Sequence, residues 1–534
     1  MRVIDLFCGS GGFSEGFRQA GFDVIWAVDK WEPAVITHSE NHPNCKTIQD
    51  DVISLSNLSD EEFDEIIPDS EVIIGSPPCI AFSNSNRSGK GDKSLGVKLF
   101  ESYLRIIFRK KYKKDSILQY WILENVPNIG NYIKEQYSAI DLGLKGNNIL
   151  KVIYENSGVY NAKYYGVATN RKRFFCGEFP TPKKKIINEN SFVKLRSILD
   201  SLGEPKVPSK KVVIDPNYPD NSMNSGEITD HHYIREIAEH EWKKAKRLKQ
   251  DKGYMGKMSF PEDMDKPSRT VMAMESYSAR ESLIFPYKEN RFRAPTIREL
   301  ASLMSFPIEY RFYGKSINMK HKLVGNAVPP KLSYALAKAI MEQEKFNIKA
   351  YYQRINHKNE FSLRNLNFKD IPLKIEKPKQ PSSKFKYHLP YFIINTFRVE
   401  LTNYHSDFKG SNFKWDIEIH MSQGPKARVF KPRIDRNYFE KYELDELKRF
   451  LSINISKVST ANKLQKIYCM TEKEREQRKL YSPMGLLEIT KNFIENINIR
   501  NNLYIPIKYK GELVILPYKT LYAYYALRKL IKGY

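Results

Sequence analysis

The chain has 534 residues, enough for about three or four domains, and 87 Lys plus Arg against 62 Asp plus Glu leave a formal net charge of +25. With 41% hydrophobic and 13% aromatic residues it is a folded protein and not a disordered basic tail, and such a charge favours a polyanionic partner, nucleic acid above all. Five cysteines with no CxxC pair exclude a disulfide framework and offer no zinc signature. The apolar run behind Met1 is too short for a secretion signal and no stretch approaches about 18 apolar residues, so a reducing compartment and no membrane partner are expected.

The first third alternates strand-like and helix-like segments. Val3–Phe7 is a short apolar run ending in Cys8-Gly9-Ser10-Gly11-Gly12. Phe13, Phe17 and Ala20 then recur with helical spacing as far as Gly21, and Val24–Val28 is a second run closed by Asp29. Val72–Ile74 leads into Gly75-Ser76-Pro77-Pro78, and Trp121–Leu123 into Glu124-Asn125. Repeated strand, turn and helix predict an α/β fold with a doubly wound, mostly parallel sheet, in which ligands collect at the carboxyl ends of the strands.

From about Pro180 to Tyr287, Lys runs, Pro and Asn replace this alternation, and a separate, irregular, basic module is expected. Order returns at Thr296, where a glutamate three residues on makes a capping box, and a second helix spans about Pro330 to Glu344. Ile375–Pro390 reads as a linker. Beyond it Ser482-Pro483 starts a helix burying Leu486, Ile489, Phe493 and Ile497, and Leu503–Ile507 pairs with Leu513–Leu516 in a hairpin across Lys510-Gly511, which makes this region α+β. On Trp415–His420, period-two alternation puts Asp416, Glu418 and His420 on one strand face. A solvated polar face is the expectation. The alternative, a metal-binding nuclease strand, lacks the Glu-x-Lys that common nuclease cores carry.

Several motifs sit where chemistry is expected. A strand feeding a glycine-rich turn (Asp5 to Phe13) lets backbone approach a ligand closely, although the spacing is neither GxGxxG nor that of a phosphate-binding Walker loop. Asp29 has the position of an acid that binds ribose hydroxyls, and Asp51 could accept from an exocyclic amine; either is also an ordinary cap. In Gly75-Ser76-Pro77-Pro78-Cys79, two prolines fix a thiol just past a strand end. Cys79 is a buried small hydrophobe or, with Glu124 facing the same cleft, a nucleophile. Arg171 and Arg173, two apart on an extended segment, can grip a phosphate or polarise a carbonyl.

In this order the motifs resemble those of the DNA (cytosine-5)-methyltransferase family, over about residues 1–345. Asp5–Phe13 is similar to the family's first S-adenosylmethionine motif, Asp29 with Lys30 and Trp31 to the second, and Asp51 to the third. Ser76-Pro77-Pro78-Cys79 resembles the catalytic loop, Glu124-Asn125-Val126 the catalytic acid motif, and Arg171 with Arg173 the Gln-x-Arg-x-Arg motif. Arg293 to Pro307 resembles the ninth motif and Gly325-Asn326-Ala327-Val328 the tenth. Thr169 stands where the family has glutamine, Ala168 where proline is common, and Ile80 where glutamine is frequent.

The resemblance implies a Rossmann-like methyltransferase that uses S-adenosylmethionine and no metal, acting on double-stranded DNA in a bacterial or archaeal cytoplasm, with a cognate restriction endonuclease as a possible partner. Cys79, Glu124, Arg171 and Arg173 would be catalytic. Asp5, Phe7, Gly9, Gly11, Gly12, Asp29, Lys30, Trp31, Asp51, Val52, Pro78, Asn326 and Val328 would hold the cofactor, and Ser83, Arg269 and Arg280 would approach DNA. The implied division is a catalytic domain at 1–180, an inserted target-recognition domain at 181–290, a return segment at 291–345, a linker at 346–390 and an accessory domain at 391–534. An RNA cytosine methyltransferase and a non-catalytic DNA-binding module are the rival readings.

Overall fold

In a computed structural model, residues 1–78, 93–205, 211–251, 257–274, 276–346, 352–355, 357, 370–422, 427–457, 461–499 and 503–532 are described. They fall into two compact units, 1–242 with 259–373 and 243–258 with 374–534. Among the described residues no helix is long and apolar enough to cross a membrane.

The first unit opens with β1 (Arg2–Leu6), α1 (Gly12–Gln19), β2 (Asp23–Asp29), α2 (Glu32–Asn41), β3 (Lys46–Gln49), α3 (Val52–Ser56), α4 (Asp60–Ile66), β4 (Val72–Gly75), α5 (Lys93–Tyr112) and β5 (Tyr120–Asn125). A short hairpin follows, β6 (Gln136–Ser138) with β7 (Ile149–Lys151), then β8 (Gly158–Asn161), β9 (Thr169–Asn170) and β10 (Lys172–Cys176). One seven-stranded sheet runs β3-β2-β1-β4-β5-β10-β8, parallel through its first five strands and antiparallel at β10 and β8. The apolar runs read as strands because both faces are covered. Val3 joins a core with Phe13, Phe17 and Leu336, while Ile4 and Leu6 join another with Leu104 and Ile107. The order reverses between β1 and β4, and a doubly wound sheet has its ligand crevice at such a switch point.

The stretch expected to be separate and irregular contains α6 (Leu195–Leu202), β11 (Val212–Ile214), β12 (Ser222–Asn224), α7 (Glu239–Gln250) and β13 (Ser268–Arg269). It is not separate. Leu195, Ile198 and Leu202 share one core with Leu300, Leu303 and Phe306, and β13 pairs in parallel with β9. After β14 (Phe285–Lys288) and β15 (Arg291–Arg293) come α8 (Ile297–Leu303), α9 (Ile317–Asn326) and α10 (Pro330–Gln343). The expected capping box opens α8: Thr296 Oγ1 accepts from the Glu299 amide, and the Glu299 carboxylate accepts from the Thr296 amide at 2.7 Å.

The second unit carries a four-stranded antiparallel sheet of β16 (Lys386–Ile394), β17 (Phe397–Thr402), β18 (Asp416–Met421) and β19 (Arg428–Phe430). The stretch expected as a linker, 346–390, thus ends inside β16. Helices α11 (Lys441–Asn454), α12 (Ala461–Cys469), α13 (Glu472–Gln477) and α14 (Pro483–Asn496) follow, then the hairpin β20 (Tyr504–Tyr509) and β21 (Glu512–Pro517), and α15 (Tyr518–Lys532). Residues 243–258 belong here because the Asp251 carboxylate accepts from the Tyr387 hydroxyl at 2.6 Å and from the Tyr391 amide at 2.9 Å.

The polar face of β18 is not solvated. Glu418 and His420 are buried, and Glu418 lies opposite the buried Glu400 of β17. Nε2 of His405, Nε2 of His420 and Nζ of Lys431 lie 2.7, 2.8 and 2.9 Å from the Glu418 carboxylate. No group of three or more His, Cys, Asp or Glu among the described residues is arranged to hold a metal ion. Burial opposes the Glu418 charge, but hydrogen bonds from His420, Lys431 and His405 outweigh it and hold the carboxyl well below the usual range. A depressed folded-state pKa contributes stability above the unfolded value of about 4.3, and that stability is lost as pH falls. Glu418→Gln should cost about 2 kcal/mol and speed amide exchange in β17 and β18 about thirtyfold at neutral pH. The gap from the parent chain should begin to close below about pH 4 and narrow further as the pH falls toward the depressed folded-state value.

Candidate active site

The loops leaving β1, β2, β4 and β5 meet at the switch point. After β1 the chain turns tightly, with positive φ at Phe7, Gly9 and Gly11. Gly11 and Gly12 are required by packing: a Cβ on Gly11 would lie 2.4 Å from the Tyr310 hydroxyl, and one on Gly12 would lie 2.2 Å from the Val328 carbonyl. Gly9 differs, since a Cβ there would meet nothing within 4 Å. The turn therefore exposes backbone at Gly9 and nests its other glycines against the chain around 310 and 328.

Asp29 bridges this turn to the end of β2, accepting from the Gly9 amide at 2.9 Å and the Trp31 amide at 2.8 Å. Burial raises its carboxyl above the ordinary value, against those backbone donors. Asp5 lies deeper. It is fully buried and accepts from the Ser14 hydroxyl at 2.6 Å, its Oδ1 has no hydrogen-bond partner among the described residues, and burial pushes it up to about 8. Ser14 continues to His38 and Thr47, so Asp5 anchors an internal network beneath the turn. Lys30 and Asp51 pair at 2.8 Å on the rim, with Asp51 also capping α3 through the Ile53 amide. Phe7, Val52 and Val328 are core residues, while Trp31 is half-buried, and Pro78 and Asn326 are exposed.

Glu124 is the buried last-but-one residue of β5. Burial raises its carboxyl, and Arg173, whose Nε lies 3.0 Å from Oε1, and Arg171 work the other way. The neighbouring Asn125 donates from Nδ2 to the Pro77 carbonyl at 2.9 Å, and Ser76 donates to the Phe7 carbonyl at 3.2 Å. The chain that enters Pro78 is thereby tied to the ends of both β1 and β5. Cys79 and Ser83 lie outside the described residues.

The two arginines have different surroundings. Arg171 was expected to act on substrate beside Arg173; instead it is wholly buried, and its guanidinium donates to the carbonyls of Val271, Gly325 and Ala327 at 2.8–3.0 Å. Arg173 meets Glu124 at ion-pair distance. Arg269 also departs from its expected approach to DNA. It bonds Glu262 and the Ser282 carbonyl, and burial lowers it to about 10. Arg280 is half-buried. Thr169, at the position where glutamine was expected, donates to the Arg269 carbonyl at 2.8 Å and so helps join β9 to β13.

Sequence reasoning missed Tyr310, whose hydroxyl donates to the Ser10 carbonyl at 2.5 Å, and the buried pair of Lys320 with Asp230 at 2.7 Å. Neither lies in a motif with a recognisable spacing. Tyr310 follows Phe306-Pro307 by only a few residues and is the one a reader of that motif could have found.

Residues 1–342 match the family described as C-5 cytosine-specific DNA methylase. The chain is 29% identical over 356 residues to Type II methyltransferase M.NgoPII of Neisseria gonorrhoeae, covering 64% of this chain and 95% of that protein. It is likewise 29% identical over 378 residues to Type II methyltransferase M.FnuDI of Fusobacterium nucleatum, with 64% and 94% covered. Among solved structures it is similar to a putative DNA modification methyltransferase encoded within an E. coli prophage, at 22% identity and a TM-score of 0.42, over 65% of this chain and 99% of that one.

Replacing Arg171 by methionine leaves three buried carbonyls without their donor, a loss of about 3 kcal/mol at roughly 1 kcal/mol each. The urea midpoint of the first unit should fall accordingly. Arg173→Gln, which removes one ion pair at the edge of the site, should shift that midpoint by less than half as much.

Proposed function

The chain belongs to the C-5 cytosine-specific DNA methylase family, and from that premise we propose that this DNA (cytosine-5)-methyltransferase modifies a cytosine flipped out of a duplex site, through a covalent bond between Cys79 and C6. The observation that supports this most is the pair of ties at the end of β5: Glu124, buried and raised, and Asn125, bonded to the carbonyl two residues before Cys79.

S-adenosylmethionine, the donor, supplies the methyl group for C5. The residues present fit it: exposed backbone at Gly9, the Asp29 carboxylate beside it and the exposed Asn326 share the region where β1 and β2 end and the Val328 chain returns. Asp29 would hold the ribose, and Asp51 would accept from the adenine amine.

Cytosine C5 is a weak carbon nucleophile. Addition of the Cys79 thiolate to C6, with a proton delivered to N3 by Glu124, converts the ring to an enamine whose C5 takes the methyl group. A base then removes the C5 proton, the electron pair of that bond restores the ring as the sulfur leaves as thiolate, and N3 returns its proton to the Glu124 carboxylate. Glu124 must carry a proton to start, which its burial favours. Arg173 lies where it can hold the base at O2 and limit how far the Glu124 carboxyl rises. A free thiol of pKa about 8.5 is only a few per cent ionised at neutral pH, so the addition requires a site that favours the thiolate. Extruding the base costs a few kcal/mol, offset by binding of the DNA backbone. The relatives' names favour the modification half of a restriction-modification system.

Cys79→Ser should lose methyl transfer to duplex DNA while keeping DNA binding, and the parent chain should form a denaturation-resistant adduct with duplexes containing 5-fluorocytosine. Equal activity in the serine variant, or transfer to tRNA and not to DNA, would defeat the proposal. Arg173→Gln removes a charge that lowers Glu124, so the alkaline limb of the pH profile of methyl transfer should move upward.

A further inference from the structure

At the catalytic rim of the edge strand β8 lies a cleft of about 550 Å³ lined by Tyr160, Lys163, Tyr164, Asn170, Lys172 and Lys184, among others. Its position follows from the register: Lys172 pairs with Asn161, and Arg173, the next residue, reaches Glu124. The cleft is built and not a loose charge run. The amides of Lys185 and Ile186 both donate to the Tyr164 carbonyl at 3.0 Å, which pins the Lys183–Lys185 run along the cleft. The ammonium groups of Lys163 and Lys184 lie 5.2 and 5.0 Å from the centre of the Tyr164 ring.

The charge there is one-sided. Between residues 163 and 185 the sequence has seven Lys and Arg against one acid, Glu178, and Glu178 is already paired with Lys111. Among the described residues, the acid paired with Lys163 is the exposed Glu189, at 3.8 Å. Burial and the charge of Lys185 push the nearby Lys331 down to about 8, as expected where cations crowd. Such a rim, with aromatic walls and ammonium groups beside β8 and β10, suits a row of phosphodiesters.

We propose that this cleft takes the sugar-phosphate backbone of duplex DNA beside the target cytosine, with the ammonium groups of Lys172 and Lys184 each neutralising a phosphate. The proposal rests on the function proposed above and extends it, because binding energy from this clamp is available to offset base extrusion.

The test is the salt dependence of binding of the full chain to a mixed-sequence DNA duplex. For K172Q/K184Q the slope of log affinity against log salt should fall by about 2, at about 0.9 for each phosphate no longer neutralised. Binding at about 0.1 M salt should weaken tenfold or more, with the difference shrinking at high salt. Lys183, paired with Glu342 at 3.0 Å, provides the control: K183Q should leave the slope unchanged. An unaltered slope in the double variant, or an equal fall in K183Q, overturns the proposal. Thermal melting of each variant checks the fold. Mixed-sequence binding needs no methyl transfer, so failure of the parent chain to form the 5-fluorocytosine adduct would remove the proposed reaction and leave the slope readable.

Discussion

The guanidinium of Arg171 holds together three stretches of chain that are far apart in sequence. Its three acceptors come from residues 271, 325 and 327, so one side chain joins the segment between β9 and β10 to the end of the inserted module and to the turn before α10. The buried charge survives because a rigid fork of donors meets three fixed carbonyl dipoles. The consequences extend to the crevice. Val328, the residue after Ala327, presents the carbonyl against which Gly12 is packed, and Arg173, two residues after Arg171, meets Glu124. The turn after β1 and the Glu124 carboxyl are thus positioned through one shared strut.

Burial alone does not decide which way a carboxyl shifts in this protein, since two buried glutamates, Glu299 and Glu124, move in opposite directions. Glu299 is fully buried, yet it is lowered, because Arg293 grips both its oxygens at 2.7 and 2.8 Å and the Thr296 amide adds a third donor. Glu418 is lowered in the same way by two imidazoles and an ammonium. Asp5, with one hydroxyl, rises to about 8. Glu124, with one close arginine, rises as well. The first two carboxylates are structural anions, whereas Glu124 is left short of donors, the condition that favours its protonated form.

What could be read from the sequence follows from how each element is buried. β1, β2, β4 and β5 were legible because strands covered on both faces appear as continuous apolar runs, and the residues closing them were legible as the carboxyl ends of those runs. The capping box at Thr296 and Glu299 and the hairpin across Lys510-Gly511 are local chemistry and were equally readable. Where the answer depended on partners distant in sequence, it was hidden. Period-two alternation aims Arg171 and Arg173 the same way, but Arg171 precedes β10 and follows β9, so the alternation does not apply across it. Asp416, Glu418 and His420 do share a strand, yet Glu418 and His420 are buried, with Glu400 beside His420 and the half-buried Lys431 on Glu418, neither of which the strand itself contains. The module from 181 to 290 looked separate because α6 alone shows too little apolar surface; its core is completed by residues near 300.

The charge of +25 is likewise a property of the surface only after the internal cations are set aside. Arg171 and Arg298 are wholly buried on carbonyls, Arg293 is bound to Glu299, and Arg269 is turned onto Glu262. Arginine suits such places, since its planar fork satisfies several fixed acceptors at once and stays charged. Lysine cannot do this as well, and two of the buried lysines, Lys110 and Lys320, each face carboxylates directly. The ammonium groups that remain on flexible stems at the surface are those a polyanion meets first; Arg269, expected to approach DNA, is structural, while Lys163, Lys172 and Lys184 line the cleft beside β8.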